Sequence, residues 1–471
     1  MNIKRYLISL IAIALILGTA SVNAAAPNAL PANEPWVLSH VDWYEDAHLG
    51  AYNSITHHPR SGKAYISYYD DVNTALKMAH EVALGTGNCG PGNSWQCEIV
   101  QSSTSVGRYS SIAVAYVPLT PPILSYTKIG ISYYDTSAQR LRYAQCVLHM
   151  GESVCEWTFN NVDDSGELNE YYGKYSSLAF DSNAIPHIAY NWVWEYDLPN
   201  PDIGGVKYAS YVGEGNGHCI PDGSWECIAV ALSMNYMDDG ANCSLDFNFN
   251  DVAVISFYKA DISALVMAMH QAGDGSICNS NWNCHVVDNT SDVGRFSSLH
   301  AQKFIGDTSR IAYHDSLHKE VRYAEYVGSG GNCTSALFDC YTVDTTADVY
   351  PTNFDPISMD VDAQGYPIIA YMNSASDTSP DYIKVARPAA AYGLPWGNCG
   401  DVRDGEAFQY WTCRTVDPPE TSINKGAFLS VDVAPSGLAA IAYAEQDLQG
   451  DGLYLKVAQQ RFGIYLPLIK R

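Results

Sequence analysis

Past its first two dozen residues the chain has no apolar run approaching the roughly eighteen residues that a membrane helix needs. Basic side chains are scarce, with 26 Lys and Arg against 51 Asp and Glu and a net charge of −25. That balance argues against nucleic acid, whose phosphates demand a basic surface, and against adhesion to anionic lipid. No Gly-x-Ser-x-Gly elbow and no His-Glu-x-x-His occur, so two common hydrolase motifs are missing. Helix periodicity is poor throughout. What is present instead is tyrosine, 34 of them, in short alternating segments.

The first residues read as a processing signal. Lys4 and Arg5 precede an apolar run from Tyr6 to Gly18, and Val22-Asn23-Ala24 is a small-residue cleavage site. Residues 1–24 are therefore expected to be a signal peptide and 25–33, rich in Ala, Pro and Asn, a spacer. The mature chain is expected to be exported, soluble and monomeric, with no transmembrane segment. Its acidity serves solubility. No cofactor is expected, Ca²⁺ at the acidic loops being left open.

The remainder repeats. "VGRYSSIAV" at 106–114 recurs as "YGKYSSLAF" at 172–180 and "VGRFSSLHA" at 293–301, with weaker copies starting at 50, 240, 353 and 426. This is strand a. About twenty residues on comes strand b ("AYISYYD" at 64–70, "RIAYHD" at 310–315), then strand c ("RLRYAQ" at 140–145, "GVKYAS" at 205–210). Each alternates apolar residues with others at the period of a strand. Strand d opens on Trp95, Trp157, Trp225, Trp282, Phe338 or Trp411. Six repeats are complete and the seventh stops after c. Its missing strand matches "WVLSHVD" at 36–42, ahead of the first repeat, which shares Trp and Val-Asp spacing with "WTCRTVD" at 411–417. A ring is the simplest arrangement in which a first strand completes a last repeat. The expected fold is all-β: a seven-bladed β-propeller of four-stranded blades over 34–461, the last blade closed by the N-terminal strand. The tail 462–471 reads as a packed terminal strand or a surface-sorting signal.

Of 13 Cys, twelve form close pairs, one per complete repeat: Cys89/Cys97, Cys146/Cys155, Cys219/Cys227, Cys278/Cys284, Cys333/Cys340 and Cys399/Cys413. One member follows strand c and the other begins or enters strand d, so each pair can bridge its own hairpin in an oxidising compartment. Such short loops stabilise by about 2–3 kcal/mol per bridge. None has Cys-x-x-Cys spacing, which disfavours zinc. Cys243 is left over, at a position that Ser110, Ser176 and Ser297 fill elsewhere, and is expected to be a buried thiol.

In a propeller, strand a lines the channel and the d–a and b–c connections share one face. On that face Arg108, Lys174 and Arg295 precede the "YSS/FSS" triplets, and Asp70, Asp135 and Asp315 end strand b. The expected structural role of these Asp residues is to cap turns and to pair with the Arg and Lys. A ligand site is expected at the b–c connection of blade 3, "NWVWEYDLPNPDIGG" at 191–205. Trp192, Trp194 and Tyr196 offer faces on which sugar rings stack. Glu195 and Asp197 would accept hydroxyl hydrogen bonds, and Arg108 and Arg295 complete the candidate set. No catalytic residue stands out. His57-His58 falls near an a–b turn, on the opposite face.

The blade pattern "YSSLAFDSNAIPHIAY…VKYASY…W" resembles secreted bacterial propellers, sialidase-like and fucose-lectin-like in architecture only. Sialidases carry Ser-x-Asp-x-Gly-x-x-Trp boxes and three Arg. No such box occurs here, and only Arg108 and Arg295 match the clamp. Fucose lectins use an Arg, a Glu and a Trp between blades, and only the Arg has a counterpart. Family function therefore transfers poorly, since a fold hosts many functions, and the expected function is that of a secreted non-enzymatic binding propeller for an extracellular glycan or protein. The alternatives are an exo-acting glycosidase of sialidase type and a structural repeat protein.

Overall fold

The computed structural model describes residues 35–44, 48–103, 105–119, 125–149, 152, 154–164, 170–195, 203–221, 223–234, 242–345, 356–374, 380–402, 409–448 and 452–461. The expected signal peptide, spacer and tail lie outside them. Seven antiparallel sheets form seven blades, each ordered a-b-c-d. Blade 1 is typical: Leu49–His57 (a), Ala64–Asp70 (b), Ala75–Glu81 (c) and Trp95–Ser102 (d). The a strands of blades 2 to 7 are Val106–Val117, Glu170–Phe180, Ser244–Phe247, Val293–His300, Ile357–Val361 and Ile423–Val433. Each touches the next, and the seventh touches the first. Trp36–Asp42 pairs antiparallel with Leu453–Gln460, strand c of blade 7, with Trp36 opposite Gln460. The seven-bladed propeller closed by its N-terminal strand is therefore the observed fold. Blade 6 adds one unexpected strand, Cys399–Val402, outside its d strand.

The core lies between the blades. Among the described residues, seven of the eight clusters of buried apolar residues each straddle one pair of neighbours. Within this apolar packing a polar unit recurs. The Asp of the "VD" pair ending strand d accepts a hydrogen bond from a strand-b tyrosine of the next blade. Tyr68–Asp42, Tyr190–Asp163, Tyr313–Asp288, Tyr371–Asp344 and Tyr443–Asp417 span 2.5–2.7 Å. A strand-c cation meets the same carboxylate: Lys77, Lys207, Arg322, Lys384 and Lys456 respectively. At the blade 1–2 junction Gln101 replaces the Asp, accepting from Tyr133 and Arg142 of blade 2. At the blade 3–4 junction all three positions are apolar: Ala231, Phe257 and Val266. Where the cation is kept a side-chain acceptor is kept with it, and where it is lost the whole unit turns apolar, as expected when a lone buried charge costs far more than a paired or absent one.

The V-G-R-Y-S-S motif is the ring-closing device. A Cβ on Gly107, Gly173 or Gly294 would stand 2.6–2.7 Å from Leu76, Leu141 or Leu265 in strand c of the preceding blade, and all three glycines have φ above 100°. Only glycine allows that approach in that conformation. The second serine accepts an amide hydrogen bond from the next blade. Ser54, Ser111, Ser177, Ser244, Ser298, Ser358 and Ser430 receive Ile112, Leu178, Leu245, Leu299, Met359, Val431 and Ile55 at 2.9–3.3 Å. The circle of seven bonds is complete. The first serine donates to a backbone carbonyl of the preceding blade, as Ser110 does to Tyr52. Cys243 substitutes for it, its thiol 3.4 Å from the Tyr175 carbonyl.

All six expected disulfides form, each across its own c–d hairpin: Cys89–Cys97, Cys146–Cys155, Cys219–Cys227, Cys278–Cys284, Cys333–Cys340 and Cys399–Cys413. Cys243 stays outside them, buried. The expected placement of the two cysteines in the hairpin needs correction in blade 2. Strand c there runs on to His149, so Cys146 lies inside it, and Cys155 stands ahead of strand d, Thr158–Asp163, instead of entering it. Cys227 and Cys284 do lie within their d strands, Trp225–Met234 and Asn283–Asp288. Cys155, Cys227 and Cys284 are half-buried, and each packs against an inter-blade cluster. Three bridges are framed by a preceding asparagine. Asn88, Asn332 and Asn398 accept the amides of Cys97, Cys340 and Cys413.

Candidate functional site

The d–a and b–c connections do share a face. The amide after strand b reaches back to the d–a loop carbonyl in four blades: Asp71 to His48, Thr136 to Ser105, Ser316 to Asp292 and Leu448 to Ser422. On this face the channel is ringed by aromatic side chains from strand a. Tyr52, Tyr109, Tyr175, Phe296 and Phe428 have φ of 52–55°, a left-handed conformation that bulky residues rarely adopt. The double bulge around the motif's glycine and aromatic imposes it. Ring centroids of Phe428, Tyr52, Tyr109 and Tyr175 follow one another at 4.5–4.6 Å. Below this collar the waist of the channel is a cavity of about 140 Å³ lined by the serine circle. That is smaller than an ordinary ligand pocket of about 300 Å³ or more, so a ligand on this face rests on the collar.

At blades 2 and 3 the collar opens into a mouth of polar groups. Arg108 lies over the Tyr69 ring at 5.3 Å and reaches Asp71 at 3.5 Å. Lys174 sits over the Tyr171 ring at 4.6 Å. Glu195 accepts the Tyr171 hydroxyl at 3.2 Å. Tyr134 stands edge-on to Tyr109 at 6.1 Å, within electrostatic reach of Tyr171, Arg108 and Glu195. Burial, opposed by Glu195, holds the Lys174 ammonium below the usual lysine range. Burial, then the neighbouring Tyr171, pushes the Tyr134 phenol up, and burial, then Glu195, does the same for Tyr171. Among the described residues Lys174 and the Tyr134 hydroxyl have no hydrogen-bond partner, so the mouth presents an ammonium and a hydroxyl between aromatic faces.

The expected site residues fall into three groups. Arg108 and Glu195 both lie within electrostatic reach of Tyr134. Trp192 and Trp194 belong to strand b of blade 3, Pro186–Trp194, rather than to the loop, and the next strand begins at Ile203. Trp192 packs beside Tyr172, with Lys207 over its ring at 5.5 Å. Tyr196 and Asp197 lie outside the described residues. Arg295 is separated from the other cations by blade 4, stacked on Tyr258 at 4.3 Å and 3.8 Å from Asp292. The expected pairing of the motif's cations with Asp70, Asp135 and Asp315 is corrected. Those carboxylates meet strand-c cations, Lys77, Arg140 and Arg142, and Arg322, at 3.6–3.7 Å. They also cap turns, accepting the amides of Asn73, Ala138 and His318. The bridged cysteines take no part in the mouth. Cys155, Cys227 and Cys284, like their partners Cys146, Cys219 and Cys278, belong to c–d hairpins, whose turns lie at the other end of the blades. Sequence reasoning missed Tyr109, Tyr134, Tyr171 and Tyr175, although the aromatic that follows Arg or Lys in the motif was a signal for two of them.

At the opposite end of the channel Asp246, Asp360 and Asp432 each accept an amide from the next blade, those of Ala301, Val433 and His57. His57 Nδ1 lies 2.6 Å from Asp432, and His300 lies 3.2 Å from Asp307 and 3.8 Å from Asp360. Asp432, 27% exposed to the channel, has its pKa pushed up to about 6 by burial and by Asp360, against the hydrogen bond to His57. His57 is thus a ring-junction residue on the face away from the mouth. Among the described residues no group of three or more His, Cys, Asp or Glu is arranged to hold a metal ion.

No protein-family model matches the chain, and no curated protein matches it significantly. Solved structures do. A polysaccharide lyase is 11% identical, with 89% of this chain and 90% of that one covered, at a TM-score of 0.41. An α-L-arabinofuranosidase from Fusarium graminearum with an iminosugar inhibitor is 8% identical over 89% and 97%, at 0.38. An exo-β-1,3-galactanase from Clostridium thermocellum is 9% identical over 69% and 71%, at 0.29. At such identities and scores the likeness bears on neither site nor chemistry.

Proposed function

We propose that the protein is an extracellular carbohydrate-binding propeller and that the mouth at blades 2 and 3 holds the sugar. One observation carries this reading: Lys174 and the Tyr134 hydroxyl stand without hydrogen-bond partners, among the described residues, between aromatic rings whose faces suit the C–H surfaces of a pyranose. Glu195 would accept sugar hydroxyls. Trp194 would extend the shelf, and Trp192 would support it from beneath. The six disulfides fit an oxidising location, and no described helix is long and apolar enough to cross a membrane. The test is a glycan array probed with and without Ca²⁺, followed by Trp194→Ala and Tyr134→Phe. Retention of a glycan class that both variants lose, at unchanged melting temperature, is the expected result. An array on which nothing is retained would sink the reading.

A second reading, glycoside hydrolysis, draws on Asp432. A carboxyl with a pKa near 6 beside Asp360 is suited to proton donation, though it lies at the other end of the channel from the sugar shelf. Release of reducing sugar that disappears in Asp432→Asn is the result that would favour it.

A further inference from the structure

We infer that the mouth selects an acidic sugar, and that Lys174 and Arg108 hold its carboxylate. This rests on the carbohydrate reading above and names the class of sugar. The starting point is an anomaly of charge. The chain carries a net charge of −25, so its general field repels anions, yet two adjacent blades place cations at equivalent positions of the same mouth. Arg108 and Lys174 each immediately precede a collar tyrosine, and the rings of those tyrosines, Tyr109 and Tyr175, are 4.6 Å apart.

Most other cations of strands a and c are spent on carboxylates. Lys77, Lys207, Arg322, Lys384, Lys425 and Lys456 each lie 3.0 Å or less from one. Lys174 is not. It is half-buried, and among the described residues no carboxylate oxygen lies within ion-pairing distance of its ammonium. Glu195 is near enough to favour the charge but is engaged with the Tyr171 hydroxyl. Arg108 is only loosely held, with 36% of its side chain exposed and its one carboxylate, Asp71, at 3.5 Å. A partly desolvated ammonium without a counter-charge is costly, and an incoming carboxylate removes that cost with a charge-assisted hydrogen bond. The Tyr134 hydroxyl and Glu195, which lie within electrostatic reach of each other, suit the ring hydroxyls of the same sugar. A neutral sugar would leave the ammonium uncompensated, which is how the site discriminates.

The experiment uses the full chain on an array of neutral, uronate-containing, sialylated and sulfated glycans, followed by titration calorimetry with the best carboxylated oligosaccharide and its carboxyl-reduced counterpart. The expected result is retention of carboxylated glycans, loss of about tenfold or more in affinity on carboxyl reduction, and a similar loss in Lys174→Met. Lys174→Arg should keep binding, and both variants should melt at or above the wild-type temperature. Equal binding of neutral glycans, or of the carboxyl-reduced ligand, overturns the inference and leaves the carbohydrate reading standing. Sulfated glycans bound as well as carboxylated ones would also overturn it. No binding to any glycan defeats both.

Discussion

Ser430, on the innermost strand of the last blade, accepts the backbone amide of Ile55 on the innermost strand of the first at 3.1 Å. The same bond joins every other pair of neighbouring blades, so the junction where the chain's ends meet is built like the six junctions the chain runs through continuously. What differs is the outer edge, where blade 7 receives its fourth strand from Trp36–Asp42. That strand is held by its ladder to Leu453–Gln460 and by two side-chain clasps. His40 meets Glu445 at 2.9 Å, and Asp42 belongs to the Tyr68–Lys77 unit of blade 1.

Deleting residues 34–42 should therefore remove an edge strand, the carboxylate of one inter-blade unit and one partner of Glu445 together. The expected outcome is a melting temperature lower by about ten degrees or more, on the order of several kcal/mol, or outright aggregation through the bared edge of strand c. Differential scanning calorimetry and light scattering would report it. A truncated chain that melts with the intact one would mean that the strand contributes nothing to closure.

The inter-blade unit makes a sharper prediction, because blade 4 shows what its absence looks like. Asp163→Ala leaves the half-buried Lys207 without its carboxylate and should cost about 3 kcal/mol. Combining Asp163→Ala with Tyr190→Phe and Lys207→Val, the residue types found at 231, 257 and 266, should recover most of that loss. Urea denaturation of the single and triple variants compares them directly. A triple variant as unstable as the single one would show that the apolar version works only in its own surroundings.

Much of this architecture was legible because the chain repeats it. The V-G-R-Y-S-S motif carries its reasons in its residue types: a glycine for close approach and positive φ, serines for the two sets of ring bonds. The cysteine pairs report the hairpins, and the Val-Asp of "WVLSHVD" reports the missing strand. The exact ends of a hairpin were less legible. Cys155 falls short of strand d because the ladder of that strand to strand c begins only at Thr158, opposite Gln145, and the ladder, not the motif, sets where the strand starts. The pairings between blades were also less legible. Asp70 and Arg108 stand at strand ends on the same face, yet Asp70 is met by Lys77, because hydrogen-bonded strands of one sheet lie closer than strands of two packed blades. The mouth was harder still. Lys174 matters because, among the described residues, it has no carboxylate within ion-pairing distance, and an absent partner has no signature in sequence. The strand Cys399–Val402 followed no repeat and had none either.

Cys243 occupies a serine's place in the inner circle of the ring, with its thiol toward the Tyr175 carbonyl. Replacing it by Ser restores the stronger donor used at Ser110 and Ser176, at 2.8 and 2.9 Å from their carbonyls. The expected change in stability is within about 1 kcal/mol, with the six bridges intact and no alkylatable thiol left after unfolding. Mass spectrometry under non-reducing conditions would check both. A residual thiol would mean that one of the twelve paired cysteines is not bridged.

The pH dependence of ring closure should have two opposed limbs, both at junctions of blade 7. Asp432 has a folded pKa near 6, above the ordinary carboxylate value of about 4. The folded protein therefore binds its proton more tightly than the unfolded chain does, and the stability this adds is full below about pH 4 and lost as pH rises through about 6. The groups facing it are His57, Asp360 and, one blade further, His300, whose own pKa is raised by Asp307 and Asp360 against burial and acts in the same direction. Glu445 is the reverse. Burial would raise it, but hydrogen bonds from His40 and Lys456 bring it to about 2. Its contribution is present above about pH 4.5 and lost as pH falls toward about 2. Relative to Asp432→Asn, the wild type should gain about 1–3 kcal/mol between about pH 7 and pH 4. Relative to Glu445→Gln, it should lose stability between about pH 4.5 and pH 2. Urea midpoints across that range, wild type against each variant, isolate the two groups from the other histidines. Parallel curves for wild type and Asp432→Asn would mean that Asp432 titrates as an ordinary carboxylate and that channel burial does not hold its proton.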